Sequence, residues 1–154
     1  MLPGWLSGLG FQANYTYVDS SGGSNAAVNP IEGPQVVGAR DQTLPLEGLS
    51  ENSYNIAAMY EKYGISARLA YNWRERFLLT TSAANIQRPV WSEDYGQLDG
   101  SVFYSITPSV KVGLQATNLL NSRTYLDVGG TTLAPRYSWT DTDRRIAIAL
   151  RASF

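Results

Sequence analysis

The sequence predicts an all-β chain: an antiparallel up-and-down transmembrane meander of about six strands, forming an open segment of a larger outer-membrane β-barrel. Six stretches alternate apolar and polar residues with period two, short and long connections alternate between them, and the last stretch closes on a terminal aromatic. A strand in a barrel wall turns one parity of side chains to lipid and the other to the lumen. One parity must therefore be apolar, while the other is free to carry charge.

Residues 8–20 set Leu9, Phe11, Ala13, Tyr15 and Tyr17 against Gln12, Asn14 and Thr16, with Val18 alone out of place. Residues 50–61 oppose Tyr54, Ile56, Ala58 and Tyr60 to Ser53, Asn55, Ala57, Met59 and Glu61, and Glu61-Lys62-Tyr63-Gly64 reads as a tight turn. Residues 64–77 have the cleanest parity, with Ile65, Ala67, Leu69, Tyr71 and Trp73 against Ser66, Arg68, Ala70, Asn72 and Arg74. Residues 94–106 place Leu98, Gly100, Val102, Tyr104 and Ile106 opposite Gln97, Asp99, Ser101, Phe103 and Ser105, and Thr107-Pro108-Ser109 turns the chain. Residues 110–120 oppose Val112, Leu114 and Ala116 to Lys111, Gly113, Gln115 and Thr117. In the last stretch, residues 143–154, Ile146, Ile148, Leu150, Ala152 and Phe154 share one parity, and Arg145, Arg151 and Ser153 take the other. Arg144 has the apolar parity but sits at the outer end, where it can snorkel to water or lipid phosphate. Each stretch reaches the roughly 9–11 residues that a tilted spanning strand requires.

The connections around Lys62-Tyr63 and Pro108 are short, whereas residues 21–48, 78–93 and 121–142 make long ones. That asymmetry is expected of barrels with short periplasmic turns and long external loops, and it puts both chain ends on the periplasmic side. Tyr15, Tyr17, Tyr54, Tyr60, Tyr71, Trp73, Tyr104 and Phe154 share the apolar parity and lie mostly near strand ends, as girdles at the lipid headgroups would.

Composition narrows the function classes. The chain has the length of one domain. With a net charge of -1 and scattered Lys and Arg, it offers no basic stripe for nucleic acid. It has no Cys and no His, so disulfides, thiol nucleophiles, Cys/His zinc sites and the commonest general base are absent; no cofactor or metal is expected, and the chain does not read as an enzyme. No apolar run approaches the roughly 20 residues of a membrane-spanning helix. Met1-Leu2-Pro3-Gly4-Trp5 lacks the features of a secretory signal, so the expectation is a C-terminal portion of a longer protein.

One region resembles a known family. Tyr95-Gly96-Gln97-Leu98-Asp99-Gly100-Ser101-Val102, then Thr107-Pro108-Ser109-Val110-Lys111-Val112-Gly113-Leu114-Gln115-Ala116-Thr117-Asn118-Leu119-Leu120-Asn121, then Tyr125, is similar to the closing region of TonB-dependent receptors. Leu49-Ser50-Glu51-Asn52-Ser53-Tyr54-Asn55 and Ser66-Ala67-Arg68-Leu69-Ala70-Tyr71-Asn72-Trp73-Arg74 resemble the family's preceding strands. The resemblance implies an outer-membrane importer of a scarce ligand, siderophore-iron or oligosaccharide, in a Gram-negative bacterium. Members have a plug domain inside a barrel of about 22 strands and a TonB box that couples to inner-membrane energy. This chain has neither plug nor TonB box, so TonB and the plug would be partners only of the intact receptor.

External loops are where a ligand is first met, which singles out Arg88, Trp91 and Tyr95 from one loop and Tyr137 and Trp139 from another. Aromatics stack on sugars and Arg pairs with siderophore carboxylates; the competing reading puts these residues in the outer girdle. Arg68, Arg74, Asp99, Lys111, Arg145 and Arg151 have lumen-facing parity, where they contact plug or substrate or solvate an aqueous interior. Ile146, Ile148, Leu150 and Phe154 resemble the C-terminal signal read by the barrel-assembly machinery. The alternative is a small stand-alone outer-membrane or soluble ligand-binding β-barrel. Strand count weighs against it, because single-chain bacterial barrels close with at least about eight strands.

Overall fold

A computed structural model of the chain describes residues 4–20, 44–81, 89–128 and 136–153. Among them are a 3-10 turn, Gly4–Gly8, and ten strands: β1 Leu9–Tyr17, β2 Asn52–Lys62, β3 Ile65–Arg74, β4 Phe77–Thr80, β5 Val90–Ser92, β6 Tyr95–Thr107, β7 Val110–Thr117, β8 Arg123–Val128, β9 Arg136–Asp141 and β10 Arg145–Ala152. All strand pairings are antiparallel. A six-stranded sheet runs β1-β2-β3-β6-β7-β10, and a four-stranded sheet runs β4-β5-β8-β9. In the larger sheet β1 and β10 are the two edges, so it is open.

The six alternating stretches form the larger sheet, each within a few residues of its expected ends. The expected long loops at residues 78–93 and 121–142 are corrected: they carry β4 and β5 in one case and β8 and β9 in the other. Only Glu75-Arg76 separates β3 from β4, and only Glu93-Asp94 separates β5 from β6, so these hairpins continue outward past a break. Period two is absent from the sequence there, although burial still alternates, with Leu78 buried and Leu79 exposed. Phe77-Leu78-Leu79 is a continuous apolar run, and Leu78 and Val90 are fully buried.

Register makes the larger sheet two-faced. Across β1, β2 and β3 the rows run Tyr15–Tyr54–Trp73, Ala13–Ile56–Tyr71 and Phe11–Ala58–Leu69. The same face continues as Leu69–Gly100–Ala116–Ile146 and Ala67–Val102–Leu114–Ile148 through β6, β7 and β10. Every apolar parity read from the sequence therefore falls on one surface. At one end of it the Tyr54 and Trp73 rings stack at 5.1 Å, and Tyr71 lies 6.0 Å from Tyr54. Gly96 faces Trp73 across the strands, and an added Cβ there would come within 2.8 Å of Tyr71 Cζ. A glycine is needed at that point to seat the tyrosine.

Turns hold the register. Lys62 pairs with Ile65 around Tyr63 and Gly64, whose φ angles of 55° and 75° are those of a type I′ hairpin. The opposite ends of β6 and β7 are tied by Asn118, a buried residue with φ of 53°. Its backbone N–H donates to Asp99 Oδ1 at 2.9 Å, and its side chain donates to the Ser122 and Thr142 carbonyls. Its Oδ1 accepts from the Ser122 N–H at 2.7 Å, and Leu119 N–H reaches the Leu98 carbonyl at 2.8 Å. Asn118-Leu119-Leu120-Asn121 is thus a compact crossover that binds β6, β7, β8 and the segment entering β10. This is why β7 ends at Thr117 and not at the expected residue 120.

Asn118→Ala would leave several of these groups without partners. Each buried unsatisfied group costs about 1–3 kcal/mol, so denaturant unfolding of the refolded chain in detergent should show a loss of at least about 2 kcal/mol. Asn121→Ala, at an exposed position, should lose less.

Candidate ligand-binding face

The second face of the larger sheet is polar. Its rows across β1, β2, β3 and β6 are Thr16–Ser53–Arg74–Tyr95, then Asn14–Asn55–Asn72–Gln97, then Gln12–Ala57–Ala70–Asp99. At the end nearest the smaller sheet the first row, with Asn55, Asn72 and Gln97 of the second, floors a cleft of about 490 Å³. Its walls come from Gly48, Leu49 and Ser50. That wall is fixed to β4, where Gly48 N–H donates to the Leu78 carbonyl at 2.7 Å, and to the link before it, where Ser50 Oγ donates to the Glu75 carbonyl at 2.8 Å.

Arg74 lies on the cleft floor and Asp99 lies one row beyond it, and both take part in hydrogen bonds. Arg74 donates from Nε to Ser50 Oγ at 3.1 Å and from Nη2 to the Gly48 carbonyl at 3.2 Å, and its guanidinium lies 3.8 Å from the Phe77 ring centroid. Along β6, Tyr95 donates its hydroxyl to Gln97 Oε1 at 2.7 Å, and Gln97 Nε2 donates to Asp99 Oδ1 at 2.8 Å. The relay ends at the Asn118 N–H, so Tyr95, Gln97 and Asp99 are held in place from the Asn118 crossover.

The expected ligand residues are not gathered into one site. Tyr95 is the first residue of β6, not a loop residue, and it alone of the five lines the cleft among the described residues. Trp91 lies within β5, its ring 4.7 Å from the Arg76 guanidinium, and its buried Nε1 finds no acceptor among the described residues. Tyr137 and Trp139 lie on β9 and are exposed, with Trp139 opposite Tyr125. Arg88 lies outside the described residues, as does Phe154.

The lumen-parity residues all fall on the polar face's registers but are spread along it. Arg68 pairs with Ser101, and Lys111 stands opposite Ser105 on one side and Arg151 on the other. Arg151 stacks 4.2 Å over Phe103, whose ring would come within 2.7 Å of a Cβ added at Gly113. Arg145 is at the far end, opposite Thr117. Ile146, Ile148 and Leu150 stand on the apolar face, all exposed. The residues that sequence reading did not single out are Asn14, Asn55, Asn72 and Gln97, which align only once the pairing register is known.

Further polar pairs lie in and beside the smaller sheet. Arg76 Nε lies 2.8 Å from Glu93 Oε1, Arg123 pairs with Asp141 at 3.0 Å, and Arg136 lies 4.1 Å over Tyr125. No group of three or more His, Cys, Asp or Glu among the described residues is placed to hold a metal ion. Compared with known proteins, the chain matches no family model, no curated protein and no solved structure.

Burial, together with a hydrogen bond to Asp127, pushes the Glu93 carboxyl above the usual glutamate range; Arg76 pulls the other way and does not prevail. Between the ordinary glutamate range and the raised one, the folded chain holds a proton that the unfolded chain has released. Stability from this group is present at low pH and is lost as pH rises from the ordinary glutamate range through the raised one. Glu93→Gln should flatten that part of the pH dependence, measured as the denaturant midpoint of the chain in detergent across the acid range.

Proposed function

We propose that this chain is the C-terminal barrel segment of a TonB-dependent receptor in the outer membrane of a Gram-negative bacterium. In the intact protein it would supply part of the wall and external surface through which a scarce ligand, siderophore-iron or oligosaccharide, is imported with TonB-coupled energy. The observation that carries this reading is the apolar face spanning all six strands of an open sheet. Ile148, Phe11 and Leu150 on it are 81%, 75% and 71% exposed. Contiguous apolar patches of that kind on a water-soluble monomer are rare and mark an apolar partner, here lipid. The open edges point the same way, since unpaired N–H and C=O groups of β1 and β10 in hydrocarbon must find neighbouring strands.

In this reading the smaller sheet projects beyond the bilayer, and the polar face turns inward toward the plug of the intact receptor. Outer-membrane lipid, the barrel-assembly machinery, the plug and TonB are the implied partners. The chain itself supplies wall and binding surface, not chemistry.

The test is a pair of adjacent substitutions on β10. Ile148 stands opposite Leu114 on the apolar face, and Ala149 stands opposite Gly113 on the polar one. Ile148→Arg should weaken insertion into phospholipid vesicles by about 2–4 kcal/mol if it lies near the bilayer midplane, and Ala149→Arg by far less. Partition of the refolded chain between vesicles and buffer reads both. Equal losses would sink the assignment.

A further inference from the structure

The strand register sets primary amides side by side on the polar face. Asn14 stands opposite Asn55, Asn55 opposite Asn72, and Asn72 opposite Gln97. Neighbouring strands lie about 4.8 Å apart, so the row crosses the sheet at an even pitch of that size. Asn14, Asn55 and Asn72 are exposed, and their side chains take part in none of the hydrogen bonds among the described residues. Gln97 closes the row and is fixed from both sides by Tyr95 and Asp99. Asn55, Asn72 and Gln97 lie on the floor of the 490 Å³ cleft, a size within the range of small-ligand pockets.

The chemistry of the free groups selects a ligand class. A primary amide presents two donors and an acceptor without charge, and the Thr16 and Ser53 hydroxyls in the next row add one donor and one acceptor site each. The two charges nearest the row are partly engaged. Arg74 bonds Ser50 and Gly48 and lies over Phe77, and Asp99 accepts from Gln97 and Asn118. Among the described residues a carboxylate-bearing ligand would meet a single cation on this floor, Arg74, at one end of it and with its Nε and one Nη2 N–H already used. A neutral polyol meets paired donors and acceptors held on a rigid sheet.

We propose that the Asn14–Asn55–Asn72–Gln97 row is a binding track for a neutral oligosaccharide. Vicinal hydroxyls on successive sugar units pair with successive amides, and the Tyr95 ring lies at the end of the cleft where a sugar's apolar face can stack. This inference rests on the receptor reading and narrows its ligand from two classes to one.

The whole 154-residue chain, isotope-labelled and refolded in detergent micelles, is titrated separately with cellohexaose, maltohexaose and citrate, and its side-chain amide resonances are followed. The Asn55 and Asn72 resonances should shift saturably with at least one hexasaccharide and stay still with citrate. Asn55→Leu combined with Asn72→Leu should weaken saccharide binding by roughly tenfold or more, as expected for the loss of several hydrogen bonds, whereas Gln115→Leu, an amide on the same face outside the row, should leave it unchanged. Backbone resonances of β6 and β7 check that the double variant is folded, and the unaltered chain decides the matter alone if it is not. Absence of a saturable shift with both hexasaccharides, saturable shifts of the same amides with citrate, or full binding by the folded double variant would each overturn the track. Insertion into vesicles is read on the same preparation. A chain that inserts but binds neither sugar loses the track and keeps the receptor reading, and one that binds sugar but stays out of lipid loses the receptor reading.

Discussion

Register is the constraint on which the rest of this structure depends. Side chains alternate with a period of two, so a slip of one residue between any two strands would send half of the apolar set to the polar face. Tyr15, Tyr54 and Trp73 keep one row, and Val102, Leu114 and Ile148 keep another, across pairings made by five separate connections. The Tyr63-Gly64 turn fixes one hairpin locally. The joining of β3 to β6 and of β7 to β10 has no such short turn, and there the hydrophobic pattern and the Asn118 crossover maintain alignment.

The same registration that gathers apolar residues on one side gathers amides on the other. A row of Asn14, Asn55, Asn72 and Gln97 is a consequence of three independent pairings, and its end is held by a relay that runs through Asp99 to Asn118. The Asn-Leu-Leu-Asn segment thereby links fold and site. Asn118 satisfies groups left by the break between β7 and β8, and it fixes the carboxylate against which Gln97 is oriented. Loosening the crossover would free the floor of the cleft as well as the strand ends.

The larger sheet was legible because each of its strands carries apolar residues on one face and polar residues on the other, which writes alternation directly into the sequence. The smaller sheet was not. Phe77-Leu78-Leu79 and Val90-Trp91 are short and apolar without alternation in the sequence, so they read as loop, and the loop assignments of Trp91, Tyr95, Tyr137 and Trp139 followed from that. Arg74 and Asp99 were recognisable as polar-face charges, but not as charges already bonded, because their partners Ser50, Gly48 and Asn118 are distant in sequence. The amide row was present in the sequence as four unremarked polar positions. Only the offset between strands, which no single strand encodes, brings them into line.

The absence of native cysteine makes the central claim open to a direct measurement. Single cysteines placed in turn at residues 65–74 of β3, spin-labelled and reconstituted in lipid vesicles, report contact with lipid through collisions with oxygen and contact with water through collisions with a soluble nickel complex. A two-faced transmembrane sheet predicts oxygen maxima at the positions of Ile65, Ala67, Leu69, Tyr71 and Trp73, with nickel maxima at Ser66, Arg68, Ala70 and Asn72. Uniform nickel access along the strand, or oxygen maxima on the Arg68 and Asn72 parity, would contradict the account.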